Sequence, residues 1–383
     1  MGFLVISALF VVFLNVAMYV LLRSFLGAGG RRPHRYCLIL NMLSIIGIGM
    51  GFKPEHAGAV TAVIIQAVTI WLMLQVFLIV LLSLSLAGKF LFSLLAKRRR
   101  ESLFAGMKGG KYVVAVMTAL ALSLSLYGSF VGRHDLHTVE YTVPVEGLGE
   151  RLEGYRIAQL SDVHLGSFYS LDDFQQLLEK TAAEQPDVLV VTGDVFDNAG
   201  MTMQAARLLD SYSDRFPQGI YYCRGNHEHI RGIPLLEIAL EGKSIHNLVN
   251  DNALVLEDSR PLYIAGVDYP MQREQFDYLA EAYTEKAMHD IPDNAVRVLL
   301  AHHPDFLKNA AGYGTELVLS GHTHGGQLGF EGIPLVPPVF EYLRGWYSQG
   351  HTRLYVHPGN GSWFPFRLGC QPEIAVFKLT KAE

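Results

Sequence analysis

Charge is scarce in this chain of 383 residues: 17% of them are charged, against about 25% in an ordinary soluble domain. Acidic groups are almost missing from the first 136 positions, which hold only Glu55, Glu101 and Asp135 beside 13 lysines and arginines. Residues 137–383 reverse the sign, with 33 acidic against 18 basic residues. That division excludes a single soluble domain, and at about 100–200 residues per domain the length calls for roughly two units. Cysteine is rare as well. Cys37, Cys223 and Cys370 are the only three, and no pair has CxxC spacing, so neither a disulfide framework nor a zinc knuckle is built here. No internal repeat or low-complexity tract is present. The acidic second half excludes nucleic acid as its main partner, because phosphate backbones are bound by basic surfaces.

Long apolar runs dominate the first half. Half of all residues are hydrophobic and the mean hydropathy is +0.23. Four runs, residues 1–22, 36–52, 57–92 and 112–132, predict four membrane spans, the second at the short limit of the roughly 20 residues a crossing needs. Loop charge sets their orientation. Arg23, Arg31, Arg32 and Arg35 lie between the first and second runs, Lys97, Arg98, Arg99, Arg100, Lys108 and Lys111 between the third and fourth, and only Lys53 between the second and third. Positive loops stay in the cytoplasm, so the N-terminus and everything after Gly132 are expected outside. No lysine or arginine precedes the first run, and Arg23 follows it, so it reads as an anchor rather than a cleaved signal. The amides Gln66 and Gln75 lie in the third run and suit packing against neighbouring spans. The absence of Asp, Glu, Lys and Arg inside runs one, two and four speaks against an ion or proton pathway.

The second half alternates strand-like runs (155–160, 188–192, 220–223, 261–267, 296–301 and 316–319) with helix-like stretches (171–183, 203–212, 235–240 and 273–288). This pattern predicts an α/β domain over residues 137–383, behind a membrane region of residues 1–132. The chemistry-bearing residues sit just past the strands. Asp162 and His164 come after the first, Asp194 and Asp197 after the second, Asn226, His227 and Glu228 after the third. Later strands end in His302-His303 and in His322-Thr323-His324. Ligands collect at the carboxyl ends of strands in open α/β sheets, so five loops in chain order can converge on one point. Residues i and i+2 of an extended segment share a face, which lets Asp162 and His164, or His322 and His324, grip one ion. Oxygen and nitrogen donors without thiolate suit manganese foremost, with iron or zinc as alternatives. So many ligands exceed one ion and, with a bridging carboxylate, suit two. Singly each cluster is weak, since a lone Asp after a strand is commonly a helix cap and a lone His a structural one.

Together, Asp162-x-His164, Gly193-Asp194-x-x-Asp197, Gly225-Asn226-His227-Glu228, His302 and Gly321-His322-x-His324 resemble the calcineurin-like metallophosphoesterase family over roughly residues 140–380. Residues 161–166, 321–327 and 370–374 look closest to a membrane-attached subgroup that includes phosphodiesterases and a UDP-2,3-diacylglucosamine pyrophosphatase of lipid A synthesis. The resemblance implies two packed mixed β-sheets flanked by helices. It implies one metal on Asp162, His164, Asp194 and His324, and a second on Asp194, Asn226, His302 and His322, with Asp194 bridging and His303 a neighbour. Two cations about 3.5–4 Å apart lower the pKa of a shared water and clamp the oxygens of an in-line displacement. His227, next to Asn226, is then expected to protonate the leaving oxygen or stabilise the transition state, and Asp197 to orient that imidazole. Glu228 reads as structural support. Arg224 stands where relatives carry a small or apolar residue. It is expected either to bind a substrate phosphate or to pair with a nearby carboxylate.

Residues 333–347 form an apolar, aromatic, proline-rich loop whose surface suits lipid contact. The expected protein is a membrane-anchored dinuclear phosphoesterase acting on a phosphodiester, pyrophosphate or phosphomonoester, a lipid-linked one included. Its bilayer is its first partner. The competing expectations are a lipid A-type pyrophosphatase, whose cytoplasmic substrate conflicts with an outside domain, and a sensor or scaffold with an inert metal domain.

Overall fold

The computed structural model describes residues 2–51, 59–95, 108–330, 333–335, 340–362 and 364–382. They form two compact units: Met1–Gly132 with Phe364–Phe366, and Arg133–Trp363 with Arg367–Glu383. In the first unit the helices are α1 (Gly2–Leu26), α2 (Arg31–Gly51), α3 (Ala59–Leu95) and α4 (Gly110–Phe130). Three stretches among the described residues are long and apolar enough to cross a membrane: Ile6–Ile46, Val60–Leu95 and Gly110–His134. The expected third and fourth spans stand as their own stretches, whereas the expected first and second fall together in Ile6–Ile46. Only Gly27–Gly30 separates α1 from α2, so the two apolar runs follow each other without a break. The first stretch nevertheless doubles back. His34 Nε2 lies 3.1 Å from the carbonyl of Asn15, a separation that a continuous helix would stretch to roughly 28 Å. The turn is Gly27–Gly30, and Gly30 sits so close that a Cβ there would meet the Leu22 carbonyl oxygen at 2.5 Å. Lys53 and residues 97–100, which helped set the expected orientation, lie outside the described residues.

A cluster of polar side chains in this unit is paired internally, as a setting without water favours. Asn41 and Gln75 exchange two amide hydrogen bonds, at 2.9 and 2.7 Å. Trp71 donates to the same Asn41 oxygen at 2.7 Å. Gln75 thus packs against a neighbouring helix as its position suggested. Gln66 donates instead to the Pro365 carbonyl at 3.4 Å. The ring of Phe366 fills the space beside Gly128 and lies 6.0 Å from that of Phe77.

The second unit contains fourteen strands in the described residues: β1 (His137–Val145), β2 (Arg156–Leu160), β3 (Val188–Thr192), β4 (Ile220–Cys223), β5 (Ile245–Leu248), β6 (Asp251–Leu256), β7 (Leu262–Gly266), β8 (Val296–Leu300), β9 (Leu317–Ser320), β10 (Gly329–Phe330), β11 (Ile333–Pro334), β12 (Gly345–Gln349), β13 (Thr352–Val356) and β14 (Glu373–Lys381). Its helices are α5 (Leu171–Ala183), α6 (Thr202–Asp210), α7 (Asn226–Arg231), α8 (Ile233–Leu240), α9 (Phe276–Met288) and α10 (Leu307–Ala311). Two six-stranded mixed sheets, ordered β1-β14-β2-β3-β4-β5 and β12-β13-β9-β8-β7-β6, face each other, and β10 and β11 form a ribbon. Within β3, Val188 and Val190 point into the space between the sheets, beside Ile264, Val298 and Leu319. Leu189 and Val191 point the other way, beneath Phe174 and Leu178 of α5. That alternation follows from the two-residue period of a strand, and burial on both faces is why these strands read as unbroken apolar runs. Helix α5 begins where it must: the Ser170 hydroxyl accepts from Asp173 N, and the Asp173 carboxylate accepts from Ser170 N.

Strands β2 through β5 run parallel in one sheet, and β13, β9, β8 and β7 run parallel in the other. The carboxyl ends of β2, β3, β4, β8 and β9 therefore gather along one edge of the sandwich. Two bonds tie the sheets together there. Gln159 donates to the Ser320 carbonyl at 3.1 Å, and His302 Nδ1 lies 2.7 Å from the Thr192 carbonyl oxygen.

Candidate metal centre

All seven side chains proposed as ligands meet at that edge. On one side, His164 Nε2 and His324 Nε2 face each other at 3.0 Å. Asp162 Oδ1 lies 3.4 Å from His324 Nε2 and 3.9 Å from His164 Nε2. On the other side, His322 Nδ1 lies 2.9 Å from Asn226 Oδ1 and 3.3 Å from His302 Nε2. Asp194 Oδ2 stands between the two groups, 3.6 Å from His164 Nε2 and 3.1 Å from His302 Nε2. Asp162, His164 and His324 form one cluster close enough to hold an ion, and Asp194, His302 and His322 another. Ring nitrogens turned toward each other and toward carboxylate oxygens are lone pairs aimed at shared points, so the residues present fit two divalent cations. The donors are nitrogen and oxygen throughout, as borderline and hard divalent ions require.

The backbone reaches this convergence by a route that differs from the extended i, i+2 arrangement expected for Asp162 and His164. Asp162, His164, Asp194, His322 and His324 all have φ between 49° and 72°. Residues with a Cβ rarely adopt this left-handed conformation, and each costs of order 1–3 kcal/mol. The strain is held in place by close neighbours. Asp162 accepts from His322 N at 3.0 Å and from the Ser161 hydroxyl at 2.6 Å. A Cβ on Gly321 would stand 2.0 Å from Ser161 Oγ, and one on Gly225 would stand 2.1 Å from Asp194 Oδ1. Glycine is required at both positions so that chain can pass directly behind a ligand.

Glu228 is the support for Asp194. Its buried carboxylate accepts from Asp194 N, Val195 N, Phe196 N and Gly225 N at 2.8–3.0 Å. Removing it leaves four buried donors without a partner, at about 1–3 kcal/mol each. Glu228→Ala is expected to lower stability by several kcal/mol, read as a large drop in the thermal unfolding midpoint. An unchanged midpoint would refute this role.

Beside the clusters, His227 Nδ1 lies 2.7 Å from Asp197 Oδ1, while Asp197 Oδ2 lies 3.0 Å from His164 Nδ1. Asp197 thus serves two imidazoles and does not cap the following helix, which starts at Thr202. Burial alone would lower the His227 pKa. The Asp194 charge and the hydrogen bond to Asp197 outweigh it and hold His227 up at about 9. For Asp197, burial works against ionisation, but the bonds from His164 and His227 win and keep it well below the ordinary carboxylate range.

Sequence position missed a third partner. Arg231, one turn along α7 from His227, donates to Asp197 Oδ1 at 2.8 Å and to its carbonyl at 2.9 Å. The i, i+4 spacing on a helix is the signal that could have found it. Asn360, after the unexpected strand β13, was also missed; its Oδ1 accepts from Ser161 N at 2.9 Å.

His303 lies outside the clusters, buried between the rings of Phe276 and His322, at 4.7 and 4.8 Å. Burial, then the neighbouring His302 and Arg273, push its pKa down to about 3, so it is a neutral wall residue. For Arg224 the expectation is divided between a substrate phosphate and a nearby carboxylate. Its buried guanidinium pairs with Glu237 Oε1 at 3.0 Å, with Asp268 at 4.0 Å. The carboxylate-pairing alternative is the one the geometry favours. Of the apolar loop, residues 336–339 lie outside the described residues. Ile333 and Leu335 are 65% and 60% exposed. Farther along, the Phe340 ring stands 5.4 Å from that of His322, and the Leu343 carbonyl accepts from Thr323 Oγ1 at 2.6 Å. The loop is therefore pinned to the site at one end and exposed at the other. A cavity of about 590 Å³ at the opposite end of the sheets, between Val145, Arg260 and Arg353, includes none of these groups.

Residues 155–326 match the family model described as calcineurin-like phosphoesterase. An uncharacterized metallophosphoesterase, YkuE of Bacillus subtilis (strain 168), is 30% identical over 260 residues, which cover 66% of this chain and 88% of that one. A transmembrane protein with metallophosphoesterase domain from Danio rerio is 30% identical over 326 residues, 82% of this chain and 72% of that one. An uncharacterized metallophosphoesterase of Helicobacter pylori (strain ATCC 700392 / 26695) is 27% identical over 377 residues, 96% of this chain and 95% of that one.

Proposed function

The chain belongs to the calcineurin-like phosphoesterase family and is a membrane protein with a metal-dependent phosphoester hydrolase domain; from that premise we propose that it is a membrane-anchored dinuclear enzyme cleaving a phosphodiester, pyrophosphate or phosphomonoester. One ion would be held by Asp162, His164, Asp194 and His324, and the other by Asp194, Asn226, His302 and His322. When bound, the two cations supply Lewis acidity, an activated water and neutralisation of phosphate charge. The observation that carries this reading is one carboxylate oxygen, Asp194 Oδ2, within 3.6 Å of a histidine from each group.

The chain's own residues do the rest. Glu228 and the close glycines fix Asp194, so the bridging position is set before substrate arrives. His227 carries a proton at the mouth of the site, held there by Asp197, and delivers it to the leaving oxygen. Asp197 also takes the outer nitrogen of His164, the second bond by which a metal-binding imidazole is oriented. His303, Phe276 and Phe340 wall the side nearest His322 and exclude water there.

The anchor is assigned to residues 1–132 and the catalytic domain to residues 137–383, a reading supported by compact units that divide at Gly132. The catalytic domain is placed on the extracytoplasmic side. Arginines 23, 31, 32 and 35 beside the turn of the first hairpin, with Lys108 before α4 and Lys111 in its first turn, support this. A C-terminal reporter that works only outside the cytoplasm should be active, and an inactive one would reverse the assignment. The exposed Ile333 and Leu335, in a loop whose other end packs on His322 and Thr323, on a chain tethered to a membrane, support a lipid-linked phosphoester as substrate, with manganese as the metal tried first.

The test is the full chain in detergent, stripped of metal with a chelator. Adding Mn²⁺ should restore hydrolysis of bis-p-nitrophenyl phosphate, or of a lipid phosphodiester in mixed micelles if the site demands an apolar substrate. A chain that binds no divalent ion and turns over neither ester would refute the dinuclear reading.

A further inference from the structure

Arg367 is a fully buried arginine in the described structure, and no carboxylate is hydrogen-bonded to it. Its donors go to neutral groups: Nε to the Gly361 carbonyl and Ser362 Oγ at 3.0 and 3.1 Å, Nη1 to the Cys370 carbonyl at 3.1 Å, Nη2 to the Pro358 carbonyl at 2.8 Å and to Gly361. Burying an unpaired charge is expensive, and a guanidinium does not escape by losing its proton. A structural task alone could be done by a neutral side chain. What the positive charge faces is His324: Nη2 lies 3.5 Å from its Nδ1, the ring nitrogen turned away from the metal cluster.

Two of the other imidazoles are treated differently. The outer nitrogen of His164 rests on the Asp197 carboxylate, and that of His302 on the Thr192 carbonyl. Both are acceptors, the usual arrangement, which pushes electron density toward the bound ion. A guanidinium has donors only and cannot accept from His324. It withdraws density from that ring and adds a fixed positive charge behind it. A Cβ on Gly359 would lie within 3.0–3.2 Å of Arg367 Nη2, Asp162 and His324 Nδ1, so nothing separates the charge from the ligands.

We propose that Arg367 is a positioning residue that makes the two metal positions unequal: it weakens the one formed by Asp162, His164 and His324, leaving the ion there the more readily exchanged and the stronger Lewis acid. This rests on the dinuclear reading above. Removing one fixed charge from within an imidazole's length of a divalent ion should change affinity by about tenfold or more, even where water screens well.

The metal-free full chain in detergent would be titrated with Mn²⁺ by calorimetry. The unmodified protein should show two binding events separated by about tenfold or more. In Arg367→Gln the weaker event should tighten by about that factor while the tighter one stays put, and Arg367→Lys, which keeps the charge, should behave as the unmodified chain. A folded Arg367→Gln whose weaker event is unmoved or weaker still overturns the proposal. Should that variant fail to fold, Asn226→Ala and His324→Ala decide. The first should remove the tight event and the second the weak one, and the opposite order overturns the proposal. Two equal events in the unmodified chain would also overturn it, whereas no Mn²⁺ binding at all would bring down the dinuclear reading on which it stands.

Discussion

Asp194→Asn is expected to abolish hydrolysis, with a loss of about a thousandfold or more in kcat and neither metal position filled normally. The side chain stands where both clusters meet, so one substitution removes a proposed ligand from each. Several kcal/mol of transition-state charge stabilisation rest on the ions, and each 1.36 kcal/mol is a factor of ten in rate. The change is nearly isosteric. An amide oxygen can still accept from His227 N, which Asp194 Oδ1 does at 2.9 Å, and the backbone stays tied to Glu228. The unfolding midpoint should therefore hold while bound metal, measured by elemental analysis, falls below two ions per chain. Two tightly bound ions and a normal rate in this variant would remove Asp194 from the bridging position.

His227→Ala should cost about 10²–10⁴-fold in kcat on a substrate with a poor leaving group, the range a positioned general acid supplies. The loss should be far smaller on a p-nitrophenyl ester, whose leaving oxygen needs little help from a proton. Bound metal should be unchanged, because His227 belongs to neither proposed ligand set. The pH profile gives a second readout. The Asp194 charge and the Asp197 bond hold the imidazolium up at about 9 against the effect of burial. Cations beside Asp194 would bring that value down by neutralising the carboxylate. With either value, kcat in the unmodified enzyme should fall as rising pH deprotonates His227, and the variant should lack that alkaline limb. Equal losses on good and poor leaving groups, with the limb retained, would show that His227 does not deliver the proton.

The two proposed roles arise from different bonds to the same small region. Asp197 links them, touching His227 with one oxygen and the outer nitrogen of His164 with the other. A substitution at Asp197 is thus bound to disturb acid catalysis and metal binding together, which makes His227 and Asp194 the cleaner pair to test.

Features that depend on neighbours along the chain were legible in the residues alone. The apolar runs of the first half, the βα alternation of the second and the five strand ends bearing Asp, Asn or His are all local. Strand β3 and helix α5 fall on the expected residues, because burial on both faces of a strand and a Ser–Asp cap leave marks within a few positions. The seven side chains that converge could be picked out for the same reason, each lying within a few positions of an apolar strand run.

Whatever joins distant positions came from tertiary packing. Strand β14, at the end of the chain, inserts between β1 and β2, a pairing that no period in the sequence encodes. Arg224 turns to Glu237, and Arg231 joins His227 and His164 on Asp197, because helices α7 and α8 bring those groups past the strand ends. The left-handed backbone at five of the seven candidate ligands is likewise invisible in the sequence. Residues with side chains adopt it only when packing from outside the segment forces them to. Arg367 shows the difference most plainly: nothing local marks it, and its place behind His324 comes from a loop that returns to the site 43 residues later. Local spacing chose the atoms of this centre, while long-range packing set their directions, their partners and the charge behind each one.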